Sequence, residues 1–419
     1  MKIIGIVSEY NPFHNGHLHQ IKTSLDALSA DAVVAVMSGN FVQRGFPAIF
    51  DKWSRAEMAV RNGVNLVIEL PTHYATSSAE GFAHGAVQLL NATGVVTHLS
   101  FGSESESLDE LDAIANILIS PSETFQKALD ENLSKGVSFP VARAKALAQA
   151  YPDLNEHLNL NQSNVILVVE YLKALKRLNS NIQPFLVKRV GSGYHDTHLE
   201  TSFASATAIR KAYFDHGNVD SLKPFLPDET FLTLKKEVRS ATRIEDFGKI
   251  IFYLLRQMDL SSLSQIREVS EGLENKLKQG SLKYSDYHAL VNHIKSKRYT
   301  MTRINRILVN VLLGINQETP DFNSHGYFRI LGFDAVGQKV IRQIKRQSEL
   351  PVITNINKHT DLLNSNPLLQ LDIKATNLYD LAQSNPKLQL GGRDHLTKPY
   401  HHAELLSGHL NDSRRRQND

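Results

Sequence analysis

Ile3-Ile4-Gly5-Ile6-Val7-Ser8-Glu9-Tyr10-Asn11-Pro12-Phe13-His14-Asn15-Gly16-His17 decides how this chain of 419 residues is read. The apolar run Ile3 to Val7 predicts a buried strand and His17 to Leu28 carries helical spacing, so the stretch is a strand running through a polar turn into a helix. The turn ends in His-x-Gly-His, His14 to His17. Gly16 lets backbone approach a phosphate, the helix N-terminus offers unpaired N–H groups and a positive dipole end, and the two imidazoles point at one place. Histidines so placed donate to phosphate oxygens while charge builds up during attack, which is electrostatic stabilisation without a covalent intermediate.

Working outward, Ala32 to Met37, Leu66 to Glu69 and His98 to Phe101 repeat the strand pattern, with helical patterns at Lys52 to Asn62 and Ala83 to Leu90. This β-α-β-α-β order predicts a parallel sheet, which binds ligands at strand C-terminal ends where the strand order reverses. Helices are then predicted at Leu108 to Ile119, Thr124 to Gly136, Ala142 to Ala150 and Val165 to Leu178. They are followed by a strand at Gln183 to Val190, a Gly/His-rich loop at Gly191 to His198 and a helix from Ser205 to Phe214. From about residue 225 helix follows helix, with amphipathic runs at Phe247 to Met258, Ser264 to Gln279 and Ser285 to Ile315. The last stretch mixes short apolar segments with Asn, Pro and Lys, and no internal repeat is visible. The expected fold class is α/β: a Rossmann-like domain over residues 1–220, then a mainly helical region over 221–419.

Composition removes other classes. At 42% hydrophobic and 21% charged the chain is ordinary globular material, and no run approaches eighteen apolar residues, so a cytoplasmic protein without a membrane span or signal peptide is expected. With 0 Cys there is no disulfide framework, no Cys-based zinc or iron–sulfur site and no thiol nucleophile. The first 200 residues carry 15 Lys and Arg against 20 Asp and Glu, net −5; the rest carry 31 against 23, net +8. Such asymmetry points to a polyanion partner for the second half.

A second motif, Ser205-Ala206-Thr207-Ala208-Ile209-Arg210-Lys211, opens a helix about 190 residues after the first. Ser205 and Thr207 are placed to cap the helix and bind phosphate oxygens, and Arg210 and Lys211 to neutralise a leaving pyrophosphate. Alone, this segment reads as an ordinary capped helix. Together the two motifs resemble the paired signatures of the nucleotidylyltransferase and class I aminoacyl-tRNA synthetase superfamily, whose first signature is the HIGH-type motif.

Longer blocks narrow the resemblance. GIVSEYNPFHNGH, VMSGNFVQRGFPAIFDKWSRAEMA, LVIELP, FGSE and KRYTMTRINRIL look like the tRNA(Met) cytidine acetate ligase family, in that family's order. The resemblance implies that acetate and ATP condense to acetyl-adenylate with release of pyrophosphate. The acetyl group then passes to N4 of the wobble cytidine, C34, of elongator tRNA(Met), giving N4-acetylcytidine. His14, His17 and Arg210 are the expected catalytic residues. The ATP site implied is the segment Val7, Ser8, Glu9, Tyr10, Asn11, Pro12, Phe13, His14, Asn15, Gly16, His17, Leu18, His19 and Gln20, with Gly102, Asn164, Arg189, Ser205 and Thr207. Gly102 ends a strand where a side chain would block adenine or ribose, though a simple turn glycine reads the same. Ser163-Asn164-Val165-Ile166-Leu167 departs from the family's usual P-N-N-I-L, which leaves Asn161, or a helix N-cap, as alternatives. Lys188 and Arg189 close a strand, at the ligand edge of the sheet. Ser38 to Gly45 reads as an acetate pocket, a contact to the flipped cytosine or a structural loop; Lys52 and Arg55 read as phosphate or RNA contacts or as structural.

For the RNA, Tyr287 to Gln317 holds Lys295, Lys297, Arg298, Arg303 and Arg306 and no acid, with Tyr299 interleaved, a phosphate-tracking helix face. Arg329, Lys339, Arg342, Lys345 and Arg346 form a second basic cluster. His395, His401, His402 and His409 lack carboxylates at fixed spacing, so no protein-held metal is expected and Mg²⁺ travels with the ATP phosphates. Two other readings stay open: a small-molecule adenylyltransferase, and a non-catalytic tRNA-binding protein.

Overall fold

The computed structural model describes residues 1–104, 107–152, 162–189, 203–217, 219–237, 240–318, 320, 322 and 326–403. β1 (Ile3–Ser8), β2 (Ala32–Ser38), β5 (Leu66–Leu70), β6 (His98–Ser103) and β7 (Gln183–Lys188) form the expected parallel sheet, in the order β5-β2-β1-β6-β7. Every residue of β2 and β5 is buried, the condition of a strand with helices on both faces; β2 is apolar up to Ser38, and β5 is apolar apart from Glu69. From β1 the order steps through β2 to β5 on one side and through β6 to β7 on the other. The crevice therefore opens at the C-terminal ends of β1 and β6. α1 (Asn15–Leu28) leaves β1 at that edge. A two-stranded hairpin, β3 (Phe41–Val42) with β4 (Phe46–Pro47), follows β2 there, and α2 (Lys52–Arg61) returns the chain to β5.

Beyond β5 come α3 (Thr72–Ala75) and α4 (Ala79–Ala92). Between β6 and β7 stand α5 (Leu108–Ile119), α6 (Glu123–Ser134), α7 (Phe139–Ala150) and α8 (Ser163–Arg177). α9 (Ala206–His216) carries the second motif. The helical region follows as α10 (Asp228–Glu237), α11 (Gly248–Gln257), α12 (Leu260–Ser264), α13 (Leu273–Lys283), α14 (Tyr287–Ile294) and α15 (Met301–Leu313).

Three expectations need correction. Ser264 to Gln279 is not one helix, because the chain turns between α12 and α13 with Glu268, Glu271 and Gly272 all at positive φ. Ser285 to Ile315 breaks between α14 and α15, whose N-caps are Asp286 and Thr300. The apolar period carries across both breaks because each piece packs into the same core. The tail is also more than a helical appendage. β8 (Phe328–Phe333) pairs antiparallel with β5, and β9 (Val352–Ile353) and β10 (Tyr400–His401) pair parallel with β8. Residues on both sides of position 220 thus build one sheet, and that boundary does not divide two separate cores.

Lys52 and Arg55, read as possible phosphate or RNA contacts, are fully buried. Lys52 Nζ donates to both Glu69 oxygens and to Asp394 Oδ1, each at 2.9 Å. Arg55 donates to the carbonyls of Glu9 (2.6 Å), Phe50 (3.0 Å) and Ser38 (3.1 Å) and of Gly39. Arg329 of the second basic cluster is buried as well, bound to Asp394. Lys52 and Arg329, both bound to Asp394, hold the returning tail against the sheet, while Arg55 ties the ends of β1 and β2 together. No helix among the described residues is long and apolar enough to cross a membrane.

Candidate functional site

The His-x-Gly-His turn folds by capping itself. His14 is the N-cap of α1, and its Nδ1 accepts from Gly16 N at 3.1 Å, while His17 Nδ1 accepts from His14 N at 3.2 Å. The two rings stack with centroids 3.7 Å apart. Because each Nδ1 accepts a backbone N–H, each neutral ring carries its proton on Nε2. Burial, then the charges of Arg189 and Arg210, push His14 down to about 3. Burial, then His14 and Arg189, hold His17 well below its usual value. Both are therefore neutral N–H donors at neutral pH. Gly16 serves this cap directly, since a Cβ there would lie 3.0 Å from His14 Cε1.

The second motif braces the first. Arg210 Nη1 donates to the Asn11 carbonyl at 2.7 Å and Nη2 to Thr207 Oγ1 at 3.2 Å. Ser205 Oγ caps α9 by accepting from Ala208 N at 3.1 Å. Asn11 Oδ1 accepts from Ile49 N at 2.8 Å, so the loop carrying the histidines is held on two sides.

A cavity of about 780 Å³ opens at this edge of the sheet. Val7, Ser8, Glu9, Tyr10, Asn11, His14, His17 and Gln20 line it, with Ser205 and Arg210. Pro12, Phe13, Asn15, Gly16, Leu18, His19 and Thr207 are outside its wall: Phe13 is core, Asn15 binds the Pro224 carbonyl and His19 packs on Phe203. Gly102, Asn164 and Arg189 meet on the β6–β7 side. Asn164 Nδ2 donates to Glu104 Oε1, and Arg189 Nε lies 3.6 Å from the same oxygen. A Cβ at Gly102 would press on Arg189 Cγ at 3.2 Å, so the bare strand end makes room for the arginine. Glu104, the partner of both, was not singled out by the sequence reading, although it closes the quoted FGSE block. Asn161 and the Gly191 to His198 loop lie outside the described residues.

On the other side of β1 the wall comes from the hairpin and the helical region. Arg298, Arg303 and Arg306 line the same cavity, with Gln43, Arg44 and Glu268. This differs from a free helix face. Arg306 is only 8% exposed and binds Glu268 through two bonds of 2.8 and 2.7 Å. Arg303 donates to the Glu268 carbonyl (2.9 Å) and Ser270 Oγ (2.7 Å), and Arg298 to Glu271 (2.6 Å). Lys295 and Lys297 are exposed, outside the wall. Arg267 anchors the turn of acids by binding the His73 and Thr76 carbonyls at 2.7 and 2.8 Å. Sequence reasoning missed Glu268 and Glu271 because the acid-free basic run it followed begins only at Tyr287. Lys339, Arg342, Lys345 and Arg346 are exposed on the helix Ala335–Gln347. Among the described residues no three His, Asp or Glu are grouped to hold a metal; His409 lies outside them.

His73, like His14, is pushed down to about 3, by burial and then Arg267. Folding therefore excludes protons that the unfolded imidazoles bind once the pH drops below 6.5. Stability is expected to fall as the pH drops from 6.5 toward 3, by roughly 1.4 kcal/mol per pH unit for each such histidine. Melting midpoints measured between pH 7 and pH 5 check the sign.

The chain is similar to known proteins over nearly its whole length. A family model described as HIGH Nucleotidyl Transferase matches residues 1–394. A tRNA(Met) cytidine acetate ligase of Thermoanaerobacter sp. (strain X514) is 44% identical over 392 residues, 93% of this chain and 97% of that protein. One from Alkaliphilus metalliredigens (strain QYMF) is 41% identical over 97% of this chain and 100% of its own. The crystal structure of Thermotoga maritima TmcAL bound with alpha-thio ATP superposes with a TM-score of 0.89 at 37% identity, covering 96% of this chain and 100% of that one.

Proposed function

Since the chain belongs to the tRNA(Met) cytidine acetate ligase family, we propose that it activates acetate with ATP and transfers the acetyl group to N4 of C34 in elongator tRNA(Met). The observation that carries the reading is the pair of Nε2–H donors, His14 and His17, held neutral in the cavity at the reversal of strand order. An acetate oxygen attacks the α-phosphorus, the bond to pyrophosphate breaks and acetyl-adenylate forms. The protein has to position and neutralise rather than supply a nucleophile, which suits a chain with 0 Cys.

In this reading the stretch Val7 to Gln20, Gly102, Asn164, Arg189, Ser205 and Thr207 form the ATP site, directly or by shaping it. Arg210 holds the histidine loop and offsets the charge of the departing pyrophosphate. Mg²⁺ would arrive with the ATP triphosphate and help neutralise its charge. Arg298, Arg303 and Arg306 meet the RNA at the cavity mouth, and exposed Lys295 and Lys297 extend the phosphate contacts, so binding weakens with salt.

Acetate-dependent exchange of labelled pyrophosphate into ATP tests the activation step without RNA. Exchange that ignores acetate and requires a phosphorylated metabolite would make the protein a small-molecule adenylyltransferase instead.

A further inference from the structure

Four carboxylates line the cavity among the described residues: Glu9, Glu80, Glu170 and Glu268. Three are locked in ion pairs. Glu80 binds Lys173 and Arg177, Glu170 binds Arg143 and Lys173, and Glu268 binds Arg306. Glu9 has no salt bridge among the described residues. Its Oε1 accepts from Gln43 N at 2.9 Å, which leaves the remaining lone pairs of the half-buried carboxylate for whatever enters the cavity.

Its position says which substrate that is. Glu9 follows β1 directly and leans toward the hairpin, the side where Arg298, Arg303 and Arg306 close the wall. Gly45 of the hairpin, at φ +76°, packs so tightly on α15 that a Cβ there would fall 2.2 Å from Arg306 N, so hairpin and basic helix form one unit. Gly102, Asn164 and Arg189 lie across β1, on the β6–β7 side. One cavity takes in both groups, and Tyr171 of α8 lies near enough to Glu9 to feel its charge. An unpaired carboxylate repels phosphate and suits a donor, and carboxylates accept from the exocyclic amine of cytosine.

We infer that Glu9 is the residue that receives the acceptor amine, a catalytic residue of the transfer step, in a base pocket bounded by Gln43. This rests on the acetyl-transfer reading above. In the step, the N4 lone pair forms the C–N bond to the acetyl carbon and the C–O bond to the adenylate phosphate breaks. AMP leaves with that electron pair, and one N4 proton passes to the Glu9 carboxylate.

The test separates the half-reactions in Glu9→Gln, which keeps size and the contact to Gln43 N but takes no proton. Trapping acetyl-adenylate with hydroxylamine reads activation in the same preparation, which also reports folding. The ratio of transfer to acetyl-hydroxamate formation is expected to fall roughly 10²–10⁴-fold, the usual range for a lost general base, whatever loss the change causes in ATP binding. Equal loss of both would overturn the inference and leave Glu9 with its place in the ATP site alone. Undiminished transfer by Glu9→Ala would also overturn it. Wild-type protein that makes no acetyl-hydroxamate would refute the acetyl-transfer reading itself, a result distinct from either.

Discussion

His17→Ala is expected to lose acetate-dependent pyrophosphate exchange by roughly 10²–10³-fold, the effect of deleting one preorganised donor aimed at developing charge. The donor exists because His14 N–H occupies His17 Nδ1 and fixes the proton on Nε2. Burial and the neighbouring charges keep that ring neutral, so its contribution does not depend on pH near 6.5. The same substitution frees the His14 backbone N–H and removes the ring stacked on His14. That cap is worth about 0.5–2 kcal/mol. A modest drop in melting temperature should therefore accompany a much larger drop in exchange. Exchange within a fewfold of wild type would mean that the histidines serve the turn and not the phosphate.

Lys52→Met is expected to cost about 3–5 kcal/mol of stability, because it leaves buried carboxylates uncompensated. The side chains of Glu69 and Asp394 are 1% and 2% exposed, and Lys52 bridges them at 2.9 Å. Burial works against the ammonium, but Asp394 and Glu69 outweigh it and raise its pKa. Arg329, 3.4 Å from Asp394, remains and compensates only that partner. Denaturant unfolding reads the loss, and adding Glu69→Gln should recover part of it. No loss, or no recovery, would mean that the bridge does not hold the tail to the sheet.

The sheet and its first motif were legible because buried parallel strands are short apolar runs and the phosphate turn is continuous in sequence. Ile3 to Val7 and Ala32 to Met37 needed no partner to be recognised. Phe328–Phe333 was harder, since FRILGF carries an arginine whose neutralising partner, Asp394, is 65 residues away. Lys52 and Arg55 stayed open between ligand contact and a structural role for the same reason: only the fold brings Glu69, Asp394 and the carbonyls around Arg55 to them. At the site, residues following strands were readable from position, including Gly102 and Arg189. Glu104 and Glu268 were not, because their roles come from Asn164, Arg189 and Arg306, which only the fold sets beside them. The charge asymmetry gave the sign of the second half correctly but not its place. Arg298, Arg303 and Arg306 line the cavity begun by β1, while Lys339, Arg342, Lys345 and Arg346 are exposed on the helix Ala335–Gln347.

One measurement bears most directly on whether a single cavity both activates acetate and delivers it to RNA. The full chain is incubated with ATP, acetate and tRNA, the RNA is digested and its nucleosides are analysed by mass spectrometry. N4-acetylcytidine is expected in elongator tRNA(Met) only when ATP and acetate are both present. Its absence, from protein that still exchanges pyrophosphate in the presence of acetate, would contradict transfer to RNA.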